Sequence, residues 1–268
     1  MRTALTIAGS DSGGGAGIQA DLKTFAAHGV YGTSAITAVT AQNTLGVACF
    51  EALSSDLVTA QIEAVVSDIG AHAVKTGMLA NAAIVEAVAA AVEELDIPLL
   101  VIDPVMIAKS GDRLVDDEAV GAMRSELLRR AFVVTPNIPE AETLAEMRIK
   151  TDADRQEAAR RIVKLGAAAV IVKGGHLETT DIVDLLYDGH RFQEFRGPRV
   201  AGRFTHGTGC TFAASIAASL ALGHTLPEAV AAAQEYVAGA MRQGIDVGKG
   251  HAPLHHFWRS PMGDSKIP

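Results

Sequence analysis

Residues 73–103 read AVKTGMLANAAIVEAVAAAVEELDIPLLVID. The segment begins with a β-prone run at 73–77, continues with an Ala-rich helical run at 81–95 and ends with an apolar β-prone run at 99–103. A strand, a helix and a second strand in this order predict a right-handed βαβ crossover between parallel strands. The segment therefore indicates the α/β class of fold.

The same alternation of strand and helix extends outward in both directions. β-prone runs also occupy 3–8, 33–39, 132–135 and 169–173, and helical runs occupy 18–28, 57–69, 116–130, 139–145, 152–165, 211–221 and 227–243. The pattern changes at 182–196, where two β-prone runs flank Asp188 and Gly189, a pair that favours a hairpin turn. We expect a mostly parallel central sheet with an antiparallel hairpin at one edge.

The composition fits this architecture. Hydrophobic residues make up 49% of the chain but aromatic residues only 4%, so Ala, Val, Leu and Ile must form most of the interior. Such residues suit helices packed on both faces of a parallel sheet. A length of 268 residues is compatible with one α/β domain, and no internal repeat or linker marks a boundary. We therefore expect a single domain over 1–268.

Charge and cysteine usage narrow the function classes. A formal net charge of -8 argues against binding to nucleic acid or to anionic lipid. No stretch reaches the roughly 18 consecutive apolar residues of a membrane span, so no membrane association is expected. The two cysteines, Cys49 and Cys210, are too few for a disulfide framework and fit a reducing compartment, which predicts a cytoplasmic location.

A glycine-rich loop, GSDSGGGAG at 9–17, follows the first predicted strand. Residues 15–20 match a dinucleotide-binding fingerprint, which raises the alternative of an NAD-dependent oxidoreductase. That alternative fits poorly, because the loop is long for such a turn and the next strand ends at Thr40-Ala41-Gln42 without an acidic residue for a ribose hydroxyl. We favour a ligand-binding loop over a merely flexible connection, since glycines allow close approach of the backbone.

A second glycine-rich segment, THGTGCT at 205–211, leads into an Ala-rich helix. No Walker-type phosphate loop occurs in the sequence, so a phosphate site must lie elsewhere. Unpaired amides and the positive end of the helix dipole would meet an anion at Gly207 and Gly209, with the Thr208 hydroxyl as an added donor. An ordinary helix N-cap explains the segment equally well.

Cys210 stands at the same helix start. The field of the helix predicts a thiol pKa below its free value of about 8.5, which would let the thiolate accept a proton from a substrate alcohol. The alternative is a small buried hydrophobic residue, the commoner fate of a lone cysteine. Cys49, between Ala48 and Phe50, is given that second interpretation.

Polar residues also follow later predicted strands. Asp103 ends the run at 99–103, and Asn137 and Glu140 follow the run at 132–135. Oxygen ligands at neighbouring strand ends favour Mg²⁺ that bridges to substrate phosphates, although a helix N-cap explains Asn137 nearly as well. Lys173 closes another buried strand, where a charge is costly unless an anion such as a nucleotide phosphate meets it.

Taken together, these segments resemble the hydroxymethylpyrimidine/phosphomethylpyrimidine kinases of the ribokinase superfamily over essentially the whole chain. The segments that carry the resemblance are 6–21, AQNT at 41–44, KTGM at 75–78, DPVM at 103–106, NIPE at 137–140, VKGGH at 172–176, GTGC at 207–210 and 248–256. The resemblance implies a three-layer α/β/α fold and a homodimer. It also implies ATP-dependent phosphorylation of 4-amino-5-hydroxymethyl-2-methylpyrimidine and then of its monophosphate, in thiamine biosynthesis.

The resemblance further implies roles for individual residues. The pyrimidine pocket would contain Gly9, Ala16, Asp21, Gln42, Met78 and Val105, and the side-chain amide of Gln42 would pair with the aminopyrimidine edge. The metal would be held by Asp103 and Glu140, and ATP would contact Asn137, Lys173 and Thr208. The amides of 207–210 would stabilise charge on the transferring phosphoryl group, with Cys210 as the general base.

A pyridoxal kinase of the same superfamily is the nearest alternative function. Relatives of that kind are expected to carry a second cysteine in the loop after Asp-Pro-Val-Met, and here the loop reads IAKSG at 107–111. Phosphorylation of pyridoxal is therefore disfavoured. A catalytically silent ligand-binding module is the alternative from another class.

Overall fold

A single mixed sheet forms the frame of the molecule. The computed structural model describes residues 1–97, 99–107, 111, 114–174 and 181–259. The strands are β1 (Thr3–Asp11), β2 (Tyr31–Asn43), β3 (Gly46–Ala52), β4 (Ala73–Thr76), β5 (Leu100–Ile102), β6 (Val133–Val134), β7 (Val170–Val172), β8 (Asp181–Tyr187) and β9 (Phe192–Pro198). Their order across the sheet is β3-β2-β1-β4-β5-β6-β7-β8-β9.

The interior of the sheet is parallel and its edges are antiparallel. Strands β2, β1, β4, β5, β6 and β7 run in the same direction. Strands β8 and β9 form the predicted hairpin, and Gly189 in its turn has a φ of 87°, a conformation that favours glycine. Strand β3 was not predicted; it pairs antiparallel with β2 at the opposite edge. Most of its residues are exposed, so they lack the apolar pattern that marks a buried strand.

Helices cover both faces of the sheet, as predicted. They are α1 (Gly17–Ala27), α2 (Ser55–Asp68), α3 (Ala82–Glu94), α4 (Asp117–Ala122), α5 (Ile138–Ala145), α6 (Asp152–Lys164), α7 (Thr208–Ala221) and α8 (Leu226–Arg242). Along β1, Leu5 faces the core beneath α2 to α6, whereas Ala4 faces the core beneath α1, α7 and α8. The result is a three-layer α/β/α architecture. Within the described ranges, no helix has the length and apolar character needed to cross a membrane.

One predicted helix is irregular, and another, α7, fixes the position of the candidate site. The predicted helix at 116–130 is α-helical only to Ala122, and it continues as a π-helical turn (Met123–Leu127) and a 3₁₀ turn (Leu128–Arg130). Helix α7 is buried from Thr211 to Ala221, and its small side chains let it pack closely between the sheet and α8. This packing brings the first turn of α7 to the carboxyl ends of the central strands.

Candidate active site

The carboxyl ends of β5 and β7 meet the start of α7. Lys173 follows β7, and its Nζ lies 3.1 Å from Oδ1 of Asp103, which follows β5. Gly209, in the first turn of α7, faces this pair: a Cβ atom placed on it would lie 3.5 Å from Lys173 Nζ and 3.7 Å from Asp103 Oδ2. The acidic strand end and the glycine-rich helix start therefore open onto one rim, as the sequence-based hypothesis requires.

Glu140 lies near the same pair and is held by the start of α5. Its Oε2 accepts a 2.8 Å hydrogen bond from the Asn137 amide, and Asn137 Oδ1 accepts a 2.9 Å bond from the Glu140 amide. This capping box confirms the N-cap interpretation of Asn137. The cap engages Oδ1 of the Asn137 side chain and does not engage Nδ2. Burial, with a smaller contribution from Asp103, raises the pKa of Glu140 to about 7 against the lowering effect of Lys173.

The charges at this rim fit a divalent cation. Burial lowers the pKa of Lys173, but Asp103 and Glu140 outweigh burial and raise it, so the lysine is charged. Lys173 balances the charge of only one of the two carboxyl groups of Asp103 and Glu140. Their oxygens are ligands of the kind that Mg²⁺ prefers. Within the described residues, no three His, Cys, Asp or Glu side chains form a ready cage. Two carboxylates would leave the other ligand positions to water and phosphate oxygens, which is how Mg²⁺ usually binds.

The first turn of α7 has the amides of an anion site. Its N-cap, Gly207, has a φ of 83°, which favours glycine. The amides of Gly209 and Cys210 have no carbonyl partner within the helix and lie at its positive end, whereas the Thr208 amide donates a 3.5 Å hydrogen bond to the Thr205 carbonyl. The Thr208 hydroxyl donates a 3.2 Å hydrogen bond to the Thr205 carbonyl, so it supports the turn in this conformation and is not a spare donor.

The thiol of Cys210 does not have the expected pKa. The residue is partly exposed, yet burial raises its pKa to about 11. The charge of Lys75 lowers this value, whereas Asp103 and Asp21 raise it. The prediction of a lowered thiol pKa is therefore wrong, because desolvation and two nearby carboxylates outweigh the lowering effects of Lys75 and of the Gly17 amide. Cys49, expected to be buried, is exposed on β3.

The glycine-rich loop after β1 is organised by Asp11. The carboxylate accepts hydrogen bonds from the amides of Gly13, Gly15 and Ala16 at 2.8, 2.9 and 2.8 Å. It also accepts a 2.9 Å bond from Nε2 of His206, the residue before Gly207. Burial raises the pKa of Asp11, but His206 and the loop amides together hold it below its ordinary value. The loop is thus a defined structure and not a flexible connection.

Four predicted pocket residues lie in this loop or beside it. Gly9 packs on Met78, since a Cβ atom on Gly9 would lie 3.2 Å from the Met78 sulfur. Ser12 fixes the backbone of Gln42. The Ser12 hydroxyl donates a 2.7 Å hydrogen bond to the backbone carbonyl of Gln42 and accepts a 2.8 Å hydrogen bond from its backbone N–H group. Ala16, which is in the same loop, is the N-cap of α1 and is partly exposed.

Val105 follows strand β5 and packs at the margin of the core beneath α2 to α6. It is partly exposed, and its amide donates a 2.8 Å hydrogen bond to the carbonyl of Asp103. Val105 is therefore two positions along the chain from Asp103, whose carboxylate faces Gly209. The loop residues 108–110 and 112–113 beyond it, and 175–176 of the VKGGH segment, lie outside the described residues.

Asp21 occupies a different place from the one expected. It is completely buried on α1, where its Oδ2 accepts hydrogen bonds from Lys75 Nζ at 2.8 Å and from the Thr6 hydroxyl at 2.6 Å. Burial opposes the charge of Lys75, but Asp21, Cys210 and Asp103 hold the pKa of this lysine above its ordinary range. The carboxylate of Asp21 therefore faces Lys75 behind the pocket and has no exposed surface for a direct ligand contact.

Comparison with known proteins identifies the kind of site. The phosphomethylpyrimidine kinase family model matches residues 11–255. The chain belongs to this family. The hydroxymethylpyrimidine/phosphomethylpyrimidine kinase of Bacillus subtilis is 50% identical over 255 residues, which cover 95% of this chain and 94% of the relative. The prediction of a phosphotransferase is confirmed over the oxidoreductase and the catalytically silent module.

Solved structures place the kinase among nucleotide-binding relatives. An ADP complex of Bacillus subtilis pyridoxal kinase superposes with a TM-score of 0.89 at 39% identity, covering 96% of this chain and 97% of that one. Pyridoxal kinase from Staphylococcus aureus, in complex with AMP-PCP and pyridoxal, gives a TM-score of 0.89 at 36% identity, covering 98% and 96%. The ribokinase-like fold of the kinase is thereby confirmed, and its relatives support the use of ATP.

Sequence reasoning about the kinase missed three residues that organise the site: Asp11, Lys75 and His206. Asp11 stands alone as an acidic residue within a run of glycines, and Lys75 stands within the apolar strand β4. Each of these sequence contexts predicts that the charged side chain has a partner of opposite charge, because an isolated buried charge is costly. His206 offers no such signal, since its partner Asp11 is remote in the sequence.

Proposed function

We propose that this kinase transfers the γ-phosphoryl group of ATP to the hydroxymethyl oxygen of 4-amino-5-hydroxymethyl-2-methylpyrimidine, and then phosphorylates the monophosphate to the diphosphate. The observation that carries the proposal is the meeting of Asp103, Lys173 and Gly209 at one rim. A Cβ atom on Gly209 would stand 3.5 Å from Lys173 Nζ. A phosphoryl group in that space would meet helix amides on one side and an ammonium group on the other.

Charge stabilisation is the main task of these groups. Phosphoryl transfer passes through a loose transition state, so catalysis depends on positioning and on neutralising the equatorial oxygens. The amides of 207–210 would bind those oxygens, and Lys173, which is charged, would bind the phosphate chain. Asn137 would approach ATP from the start of α5, with Thr208 at the start of α7.

Asp103 and Glu140 would hold Mg²⁺ at this rim. The bound ion supplies positive charge that neutralises the phosphate oxygens. The carboxyl group of Glu140, whose pKa burial raises to about 7, must lose its proton to bind a cation. Asp103 also orients Lys173 through their 3.1 Å contact.

The pyrimidine would lie between the glycine-rich loop and the DPVM segment. Gln42 presents an amide that both donates and accepts, as an aminopyrimidine edge requires. Gly9, Ala16, Met78 and Val105 would give the ring an apolar surround. Asp21 would act from behind this pocket through Lys75, to which it is bonded at 2.8 Å.

Cys210 would accept the proton of the substrate hydroxyl. Its pKa is about 11, so the thiolate is a minor species near neutrality. Phosphoryl transfer through a loose transition state depends more on positioning and charge stabilisation than on a strong base, so a scarce thiolate is compatible with turnover. The charge of Lys75 favours the thiolate and makes it more abundant than burial alone would allow.

The test is release of ADP that depends on the added pyrimidine and on Mg²⁺. The purified chain is incubated with ATP, and the pyrimidine or Mg²⁺ is omitted in parallel reactions. ADP release in the complete mixture and its loss in both omissions are expected. Equal ADP release without the pyrimidine, or none in any mixture, would contradict the proposed reaction.

Pyridoxal phosphorylation is the second candidate, because pyridoxal kinases share this fold at a TM-score of 0.89. The sequence IAKSG at 107–111 lacks the cysteine expected of such enzymes. We expect a higher kcat/KM for the hydroxymethylpyrimidine than for pyridoxal under matched conditions. The opposite order would replace the first candidate by the second.

The organisation of the working enzyme is also a proposal. We expect one kinase domain over 1–268, acting as a homodimer in the cytoplasm, with no nucleic-acid or membrane partner. Analytical ultracentrifugation of the purified chain would measure the assembly directly. A monomer at the concentrations that support full activity would contradict the homodimer.

A further inference from the structure

Two loops that contribute to the proposed reaction centre share one buried carboxylate. Asp11 is only 2% exposed, and it binds the amides of Gly13, Gly15 and Ala16 as well as Nε2 of His206. A carboxylate with these donors is an acceptor only, so Nε2 of His206 carries the hydrogen. The same side chain thus shapes the glycine-rich loop and fixes the residue that precedes the anion-binding turn.

The two loops also touch at the level of the backbone. A Cβ atom on Gly15 would lie 2.2 Å from Cδ2 of His206, and one on Gly207 would lie 1.9 Å from the carbonyl oxygen of Gly15. Neither Gly15 nor Gly207 has room for a side chain, so the two loops are in direct contact at both positions. A shift of one loop must therefore displace the other or break the bond between Asp11 and His206.

The C-terminal segment holds His206 from its other side. The His206 amide donates a 3.2 Å hydrogen bond to the Ala252 carbonyl, and the residue forms a parallel bridge with Pro253. The backbone of His206 is therefore anchored to 252–253, and its ring is the part that reaches Asp11. The imidazole therefore links the anion-binding turn to the glycine-rich loop, as does the thiol of Cys210, which is hydrogen-bonded to the backbone of Gly17.

We propose that Asp11 and His206 form a positioning pair that couples binding of the pyrimidine to binding of the nucleotide phosphates. The inference rests on the proposed function, which places Ala16 at the pyrimidine and the amides of 207–210 at the phosphates. A ligand that fixes the position of one loop also biases the position of the other through this pair, so binding of the first ligand changes the free energy of binding of the second. By linkage, each ligand raises the affinity for the other by the same factor.

The test measures that factor by isothermal titration calorimetry. The Kd of AMP-PCP with Mg²⁺ is determined with and without saturating hydroxymethylpyrimidine, and we expect the native protein to show coupling of about 5-fold or more. His206→Phe keeps a ring against Gly15 but removes the Nε2 donor, and the coupling factor should fall toward one. His206→Gln restores an N–H donor and should restore most of the coupling. If His206→Phe does not fold, His206→Asn, whose shorter amide does not reach Asp11, has the same expected result.

A matched control separates coupling from stability. Asp154 is an exposed carboxylate that accepts hydrogen bonds from the amides of Lys150 and Thr151 at 3.0 and 2.9 Å at the start of α6. Asp154→Asn should lower stability without changing the coupling factor. Binding of both ligands without coupling in the native protein, or unchanged coupling in the folded His206 variant, would overturn this inference alone. Failure of the native protein to bind either ligand would overturn the proposed function and this inference with it.

Discussion

The protonation of Cys210 gives a test at the scale of one residue. Burial raises its pKa to about 11, so the thiolate fraction should grow about tenfold per pH unit across the neutral range. If the thiolate takes the substrate proton, log kcat should rise with a slope near one between about pH 7 and 9. Cys210→Ala should remove this rise and lower turnover by about 10² to 10⁴. A near-normal rate in the variant would restrict the thiol to packing.

Gly209 tests the phosphate site without a large cost in stability. A Cβ atom there would make ordinary contacts of 3.5 Å with Lys173 Nζ and 3.7 Å with Asp103 Oδ2, so Gly209→Ala should fold. The methyl group would occupy the proposed phosphoryl space, and we expect kcat/KM for ATP to fall about 10-fold or more. The measurements are ADP release and thermal unfolding.

The matched control for this substitution is Gly121→Ala in α4. Nothing lies within 4 Å of the added Cβ atom, and helix propensity favours Ala over Gly by about 1 kcal/mol. This variant should unfold at a slightly higher temperature with unchanged activity. Equal activity of the two variants would show that the phosphoryl group does not lie against Gly209.

At the scale of elements, the pair of Lys75 and Asp21 joins β4 to α1. Both side chains are fully buried, so Lys75→Met leaves the carboxylate of Asp21 without its charged partner. We expect the free energy of unfolding to fall by about 3–5 kcal/mol, and the double variant Lys75→Met with Asp21→Leu to recover part of that loss. Urea denaturation measures both.

An exposed ion pair serves as the reference for this loss. Arg129 contacts Glu126 at 2.6 Å, with side chains 51% and 36% exposed. Arg129→Met should cost less than about 1 kcal/mol, because exposed pairs contribute little. If Lys75→Met costs no more than this reference, Asp21 is protonated in the folded protein and the pair is not ionic.

The elements that sequence patterns predicted well are those whose surroundings are uniform. Central strands such as β5 are buried on both faces and appear as apolar runs, and α3 follows the expected helical period between two of them. Strand β3 escaped prediction because it lies at an exposed edge and depends on pairing with β2. Its existence is decided by a tertiary contact and not by its own composition.

The candidate site was predictable where chemistry coincides with a strand end or a helix start. Asp103, Lys173 and Gly209 fall at such positions, and the structure brings them together. The pKa of Cys210 was predicted in the wrong direction, since a local helix field says nothing about burial or about carboxylates from other strands. The hydrogen bond between Asp11 and His206 could not be predicted, because it joins two loops that are remote in the sequence and meet only in the folded protein.

At the scale of the whole molecule, buried histidines set the response to acid. His256, which is 3% exposed and lies 3.1 Å from the Thr211 hydroxyl, has its pKa lowered to about 4 by burial, and burial also lowers that of His28 to about 4. The unfolded chain takes up these protons near pH 6.5, so this stability is complete above about pH 6.5 and declines as the pH falls toward 4.

The expected size of this effect makes it measurable. Between about pH 7.5 and pH 5, each buried neutral histidine should lower the free energy of unfolding by about 2 kcal/mol, because the unfolded state alone is protonated there. His256→Gln keeps a polar partner for Thr211 and removes the titration, so the variant should lose less stability than the native protein over this interval. Urea denaturation at the two pH values gives the difference directly. Identical losses in the two proteins would mean that His256 takes up its proton over this interval in the folded state as well as in the unfolded chain, which would contradict a lowered pKa.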